Sequence, residues 1–186
     1  MPATKNAATG KMSASNRVRT NIKAHTLAHV RRALLHFEFM PMLTEALGEC
    51  DSVLDVGCGY SSPLGSIRKH FRSVGVDGHA SSIEESRKAG IHDEYHNMDA
   101  LDIDKRFAGK SLDCVMSMEI IEHMIRDGDL RHLRMIERIA RKKVIAFTPN
   151  GFVPQEAYGE NDWQVHKSGW TTREMEGFGY KVIGAR

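Results

Sequence analysis

Residues 53–62 read VLDVGCGYSS: an apolar run around one aspartate, then two glycines one residue apart. Such a run is a buried strand that ends in a glycine turn and opens into a helix. It commits the chain to more than a local motif, because parallel strands need long crossovers, usually helices. The rest of the sequence continues the alternation. Strands are expected at Ser52–Val56, Ser73–Asp77, His92–Met98, Leu112–Met118, Lys143–Thr148 and Tyr180–Gly184. Helices are expected near 63–71, 81–89, 120–141 (broken around Asp127-Gly128-Asp129) and 171–177. Ser81 or Ser82 can cap the second of these, with Gly90 closing it. The expected class is α/β: a doubly wound, mostly parallel sheet with helices on both faces.

With 186 residues, 41% apolar and 27% charged, the chain suits one domain with a full core. We divide it into a disordered tail (1–15), a helical segment (16–48) closed in part by Pro41 and ending at Gly48, and a ligand-binding domain (49–186). No apolar run reaches membrane-spanning length, and the polar first residues lack the apolar centre of a signal peptide. A cytoplasmic location is the expectation. Three cysteines without a C-x-x-C pair read as buried thiols in a reducing compartment. The net charge of +2 hides an asymmetry: residues 1–37 carry seven Lys/Arg and no acid, leaving nineteen basic against twenty-four acidic residues. Such an arm offers nucleic acid a grip, but nothing in it resembles a stacking platform, and an amphipathic helix on the domain is the favoured reading.

The ligand of the glycine turn follows from charge. Gly57 and Gly59 allow a tight turn and close approach, and Asp77 ends the next strand, where a carboxylate takes ribose hydroxyls. A dinucleotide would fit so far. The pattern G-x-G-x-x-G, however, has Ser62 for its third glycine, and Asp55 would lie near a pyrophosphate of like charge, a repulsion that burial strengthens. A ligand with an ammonium and a sulfonium and no phosphate suits that carboxylate: S-adenosylmethionine.

Five segments in order, VLDVGCGYSS, SVGVDGHAS, NMDALDI, LDCVMSMEIIEHM and KKVIAFTPNG, resemble class I S-adenosylmethionine-dependent methyltransferases over about residues 50–184. The resemblance implies a Rossmann-like methyltransferase fold. It implies that Asp55, Gly57, Cys58 and Gly59 cradle the methionine part of the cofactor and that Asp77 with Gly78 takes the ribose. Asp99 and Ala100 would read the adenine, and Met118 would line the sulfonium. The family sheet ends in a seventh, antiparallel strand, which is expected to be missing after YKVIGAR.

An oxygen acceptor must lose a proton, which calls for a base or a metal. Glu119, Glu122 and His123 stand at i, i+3 and i+4 beyond the fourth strand, so His123 can serve as base with either glutamate orienting it. The same E-x-x-E-H resembles the divalent-cation segment of ubiquinone-biosynthesis O-methyltransferases and of small-RNA 3′-terminal 2′-O-methyltransferases. In the latter a further histidine comes from a loop in a context similar to VHKSGW. That resemblance implies a metal set of Glu119, Glu122, His123 and His166. Metal ligand, metal-free base and purely structural histidine all stay open here. The loop after the fifth strand supplies an expected acceptor wall of Phe152, Tyr158, Trp163 and His166, with Trp170 as a core anchor.

Three functions remain in view. The first is a methyltransferase acting at oxygen on a small-molecule or glycan-like acceptor. The second is a metal-dependent enzyme acting on the terminal ribose of RNA, and the third is a non-catalytic cofactor-binding partner. The Asn/Asp-Pro-Pro-aromatic signature for exocyclic base amines is absent, which disfavours DNA base methylation.

Overall fold

A computed structural model of the chain describes residues 39–67, 70–157 and 162–184. The expected N-terminal tail, most of the 16–48 segment, the basic arm and Tyr158 lie outside the described residues. The chain divides into two compact units, Met1–Leu43 with Ala185–Arg186, and Thr44–Gly184. The first is described only at residues 39–43; residues 39–47 are helical, α1. Pro41 lies inside this helix rather than closing one. Everything below concerns the second unit.

Its centre is a five-stranded sheet: β1 (Ser52–Val56), β2 (Arg72–Asp77), β3 (Glu94–Asn97), β4 (Leu112–Met118) and β5 (Ala140–Phe147). The order is β3-β2-β1-β4-β5, and every pair is parallel. Helices α2 (Ala80–Lys88) and α3 (Arg126–Ile139) make the crossovers β2→β3 and β4→β5, and α4 (Thr172–Gly177) follows the long loop after β5. From β1 the chain steps outward in one direction through β2 and β3, and in the other from β4 to β5. Right-handed crossovers therefore put α2 and α3 on opposite faces. The reversal between β1 and β4 leaves a crevice at their carboxyl ends, the usual ligand position in such a sheet.

Alternation decides what each face buries. Leu54, Val56, Val74, Val76 and Val115 meet Leu133, Ile136 and Ile139 of α3, with Trp170 and Met175 in the same cluster. With Met135, these helical residues recur at three- and four-residue spacing, so one stripe of α3 is apolar and its outer face charged. Burying each such aliphatic side chain contributes about 1.5–3 kcal/mol. Asp55 and Gly75 point to the opposite face, where a side chain at Gly75 would strike His92 and Cys58.

Several boundaries differ from the sequence expectation. The helix expected over 63–71 is a single 3-10 turn, Pro63–Ser66, capped by the Ser62 hydroxyl on the Leu64 N–H, after which Ile67 is extended. Proline opens that turn well, but Gly65 and Ser66 give it no propensity to propagate. α2 is capped at His79, upstream of Ser81 and Ser82, without a side-chain cap bond. Asp127-Gly128-Asp129 does not break a helix. It forms the first turn of α3, where acids favour the macrodipole, and the break falls at Met124 and Ile125, both extended. Tyr180–Gly184 is not a strand: Tyr180 and Val182 pack on the core, and the Tyr180 hydroxyl donates to Glu137 of α3 at 2.8 Å. Tyr180 and Val182 are packed against the core cluster instead of in a strand ladder, and Ile183 is exposed. The three cysteines are free and buried, and among the described residues no helix is long and apolar enough to cross a membrane.

Candidate active site

The glycine turn closes on β2. The N–H groups of Gly57 and Cys58 both donate to the Val76 carbonyl, at 2.7 and 3.0 Å. Gly57 has φ 73°, and a Cβ there would lie 1.8 Å from the Ile120 side chain, so only glycine fits. The Asp77 carboxylate organises the next step. One oxygen accepts the Gly59 N–H at 2.9 Å and the other the His79 N–H at 2.7 Å, tying the turn to the start of α2. Asp55 is 1% exposed and faces the buried side of the sheet, where its carboxylate accepts the Ser62 hydroxyl at 2.5 Å and lies 3.6 Å from His92. Burial, with Asp55 and Asp77 alongside, pushes the Cys58 thiol far up, so it stays protonated.

At the end of β3, the Asn97 side chain and the Met98 N–H both donate to the Asp77 carbonyl. Asp99 then accepts the Leu101 N–H at 2.8 Å, an Asx turn that leaves Ala100 at its crest. The Ala100 carbonyl accepts the Nδ1–H of His132, a fully buried α3 side chain, whose Nε2 accepts the Ser117 hydroxyl of β4 at 2.9 Å. The carbonyl can only accept, so this assignment fixes a neutral tautomer, and burial holds the imidazole down to about 4.

Beyond β4 the backbone changes hand. Glu119 is exposed and sits at φ 51°, its N–H donated to the Phe147 carbonyl at 2.8 Å. The 3-10 turn Ile121–His123 follows. Glu122 points inward, 2% exposed. Its Oε2 accepts the Thr148 hydroxyl at 3.0 Å, while Oε1 is buried and has no donor among the described residues. Burial pushes its carboxyl up to about 7; Glu119 and Asp129 push the same way, and the Thr148 bond pulls back.

The long loop brings in the last histidine. Glu122, His123 and His166 each offer a ligand atom, and these atoms lie within 4.8 Å of one another. The two rings meet edge to face, with centroids 4.7 Å apart. Each ring is oriented by a carbonyl: His123 Nδ1–H donates to Val165 at 3.3 Å, and His166 Nδ1–H to Val153 at 2.6 Å. Both imidazoles therefore keep a lone pair on Nε2. Burial, and then the neighbouring His166, hold the His123 ring below its ordinary value. A carboxylate oxygen without a donor among the described residues, beside two oriented imidazoles, is a donor set that fits a divalent transition ion such as Mn²⁺.

A sequence model described as a methyltransferase domain matches residues 54–148, a little over half of the chain. The chain belongs to the methyltransferase-domain family. Its fold is similar to that of the PH0226 protein from Pyrococcus horikoshii OT3 (22% identity, TM-score 0.55, 66% of this chain and 55% of that one). It is also similar to the methyltransferase domain of bacterial CtHen1-C (20% identity, TM-score 0.56, 78% and 81%). A third likeness is to the plantazolicin methyltransferase BamL, solved with a desmethylPZN analog and SAH (15% identity, TM-score 0.56, 87% and 65%). The chain thus spans little more than half the length of the Pyrococcus protein. No curated protein sequence matches it.

S-adenosylmethionine is accordingly the cofactor of this methyltransferase domain. Of the residues named for it from the sequence, Gly57, Cys58, Gly59, Asp77, Gly78, Asp99, Ala100 and Met118 all fall at the carboxyl edge of β1 to β4. Asp55 and Cys58 are buried, Asp55 within β1 on the face towards His92. Of the expected metal set, Glu122, His123 and His166 converge, whereas Glu119 is not part of that group. Of the acceptor wall, Phe152 is exposed and His166 joins the cluster, while Trp163 lies against Gly78 at the cofactor end. Trp170 is the core anchor expected, 3% exposed.

Sequence reasoning missed a set of buried polar partners. Asp129 accepts the Ser168 hydroxyl at 2.7 Å and the Trp170 indole N–H at 2.8 Å. The Ser168 hydroxyl shares its one proton with the Ile121 carbonyl at 3.0 Å, and the N–H groups of Lys167 and Ser168 donate to the Glu122 carbonyl. These contacts clamp the His166 loop onto the Glu122 turn. They link residues about forty positions apart, and no local pattern announces them.

Proposed function

We propose that the chain catalyses S-adenosylmethionine-dependent O-methylation of a hydroxyl acceptor, assisted by a divalent cation held by Glu122, His123 and His166. The observation that carries this reading is the convergence of those three side chains, with both Nδ1 atoms committed to carbonyls. In the transfer, the acceptor oxygen takes the methyl group as the carbon–sulfur bond breaks, S-adenosylhomocysteine leaves with the bonding pair on sulfur, and the hydroxyl proton passes to solvent water. A divalent cation, when bound, lowers the pKa of a hydroxyl coordinated to it. The chain supplies alignment, which accounts for much of the rate in such displacements, about 7–11 kcal/mol in well-oriented systems.

Each residue has a part. Asp77 would accept the ribose hydroxyls with the lone pairs its backbone donors leave over. The Asp99 turn would present Ala100 to the adenine, and Met118 with the glycine turn would hold the methionine portion. Glu119 would flank the cation on the exposed side. In this reading residues 49–186 form the catalytic domain of a cytoplasmic protein.

The acceptor is a small molecule or glycan-like compound carrying a hydroxyl beside a second oxygen, since two neighbouring oxygens can chelate the ion. Terminal ribose of RNA is the second reading. It is favoured specifically by His166 joining the E-x-x-E-H turn, the arrangement implied by the resemblance to small-RNA 2′-O-methyltransferases.

Labelled S-adenosylmethionine, with pooled polyhydroxy metabolites and short RNAs, tests both. Label is expected in the metabolite pool, lost on chelation and restored by Mn²⁺. Label only in RNA with an intact 3′ diol would establish the second reading instead. Full activity after exhaustive chelation would remove the cation.

A further inference from the structure

The segment from Trp163 to Ser168 touches both ends of the site. Trp163 belongs to the 3-10 turn Asp162–Gln164, and the six-membered part of its indole lies over Gly78, the residue after Asp77. A methyl group on Gly78 would come within 3.3, 3.4 and 3.5 Å of Cζ2, Cη2 and Cε2. Glycine at 78 thus gives the ring its seat. Trp163 is half exposed, so the ring still has surface to offer a ligand. From there the chain runs directly into the cation cluster. Val165 receives His123 Nδ1–H, His166 supplies an imidazole, and Lys167 and Ser168 grip the Glu122 carbonyl.

We propose that Trp163 is a contact residue for the purine nucleoside of the cofactor, and that through it cofactor and cation binding reinforce each other. The inference rests on the function proposed above. A nucleoside seated against Asp77 must share the end of β2 with the indole, and aromatic rings bind the faces of bases without regard to sequence. A ligand that fixes Trp163 also fixes His166, three residues on, at the distance the cation requires. Coupling of this kind is reciprocal: the ion tightens the cofactor by the factor by which the cofactor tightens the ion.

The test is calorimetric titration of S-adenosylhomocysteine into the full chain, with and without Mn²⁺, for the wild type, Trp163→Ala and Trp163→Phe. The wild type is expected to bind severalfold tighter with Mn²⁺. Trp163→Ala should bind about tenfold more weakly and show no Mn²⁺ effect, while Trp163→Phe keeps most of both. The chain has two tryptophans, and Trp170 is buried, so the emission change on binding should disappear with Trp163. Equal affinity and an equal Mn²⁺ effect in Trp163→Ala would overturn the inference and leave the methyltransferase reading standing. Failure of the wild type to take up S-adenosylhomocysteine would overturn both.

Discussion

Two buried titratable groups pull the stability of this protein in opposite directions with pH. Glu122 is raised to about 7, so the folded state holds a proton that the unfolded chain releases above about 4.5. Its contribution is complete at low pH and is lost as pH rises through 7. His132 is lowered to about 4, so its contribution is complete above 6.5 and is lost as pH falls towards 4. Each limb is worth ~3 kcal/mol at a cost of about 1.4 kcal/mol per unit. Between pH 4.5 and 6.5 the two largely cancel. Glu122→Gln should remove one limb, so urea midpoints for that variant should fall steeply with acidification while the wild type changes little. A parallel decline in both would refute the assignment. The same substitution removes a proposed cation ligand, and methyl transfer should drop by 100-fold or more, as should that of His166→Ala. Residues of this kind were half legible. The E-x-x-E-H spacing marked Glu122, and its resemblance pointed to His166. The Thr148 and Asp129 partners were not, because a hydrogen bond across the sheet leaves no periodic trace.

Elements were legible wherever a strand was buried on both faces. β1 and β4 match their expected ranges, since each is a short apolar run bounded by turn residues. The helix after the glycine turn was not, because the local choice there lies between Pro63-led propagation and a turn held by Ser62. Gly57 shows how tightly that corner is built. Gly57→Ala forces a side chain into Ile120 and strains a left-handed φ, so it should destabilise by ~2–4 kcal/mol and abolish S-adenosylhomocysteine binding in the same titration. The helix expected near 171–177 forms as α4. Thr171 and Glu174 form a reciprocal capping box. Thr171→Ala should cost about 1 kcal/mol in thermal or chemical unfolding, with a smaller effect on cofactor affinity.

Across the whole molecule the sheet order fixes where chemistry can happen, and the charge distribution bears on what reaches it. The α/β class and the position of the cofactor edge were readable from strand–helix alternation. The far side was not: YKVIG has a strand's alternation, yet it joins no strand, because packing on the core cluster buries Tyr180 and Val182 without a ladder. The seven cations of residues 1–37 offer a physical test of the two acceptor readings. Binding to RNA releases counterions and weakens by orders of magnitude between about 50 and 200 mM salt. Methyl transfer to a small hydroxyl acceptor should be nearly indifferent over that range. A collapse of activity with salt would favour the polymer.

The left-handed backbone at Glu119 sets a trap for protein engineering. A β-carbon there costs about 1 kcal/mol that glycine would not. Selection for heat tolerance alone should therefore converge on Glu119→Gly, a change that raises the melting temperature and removes a carboxylate that the proposed function sets beside the cation. A library sorted by survival and one sorted by product would part company at that codon.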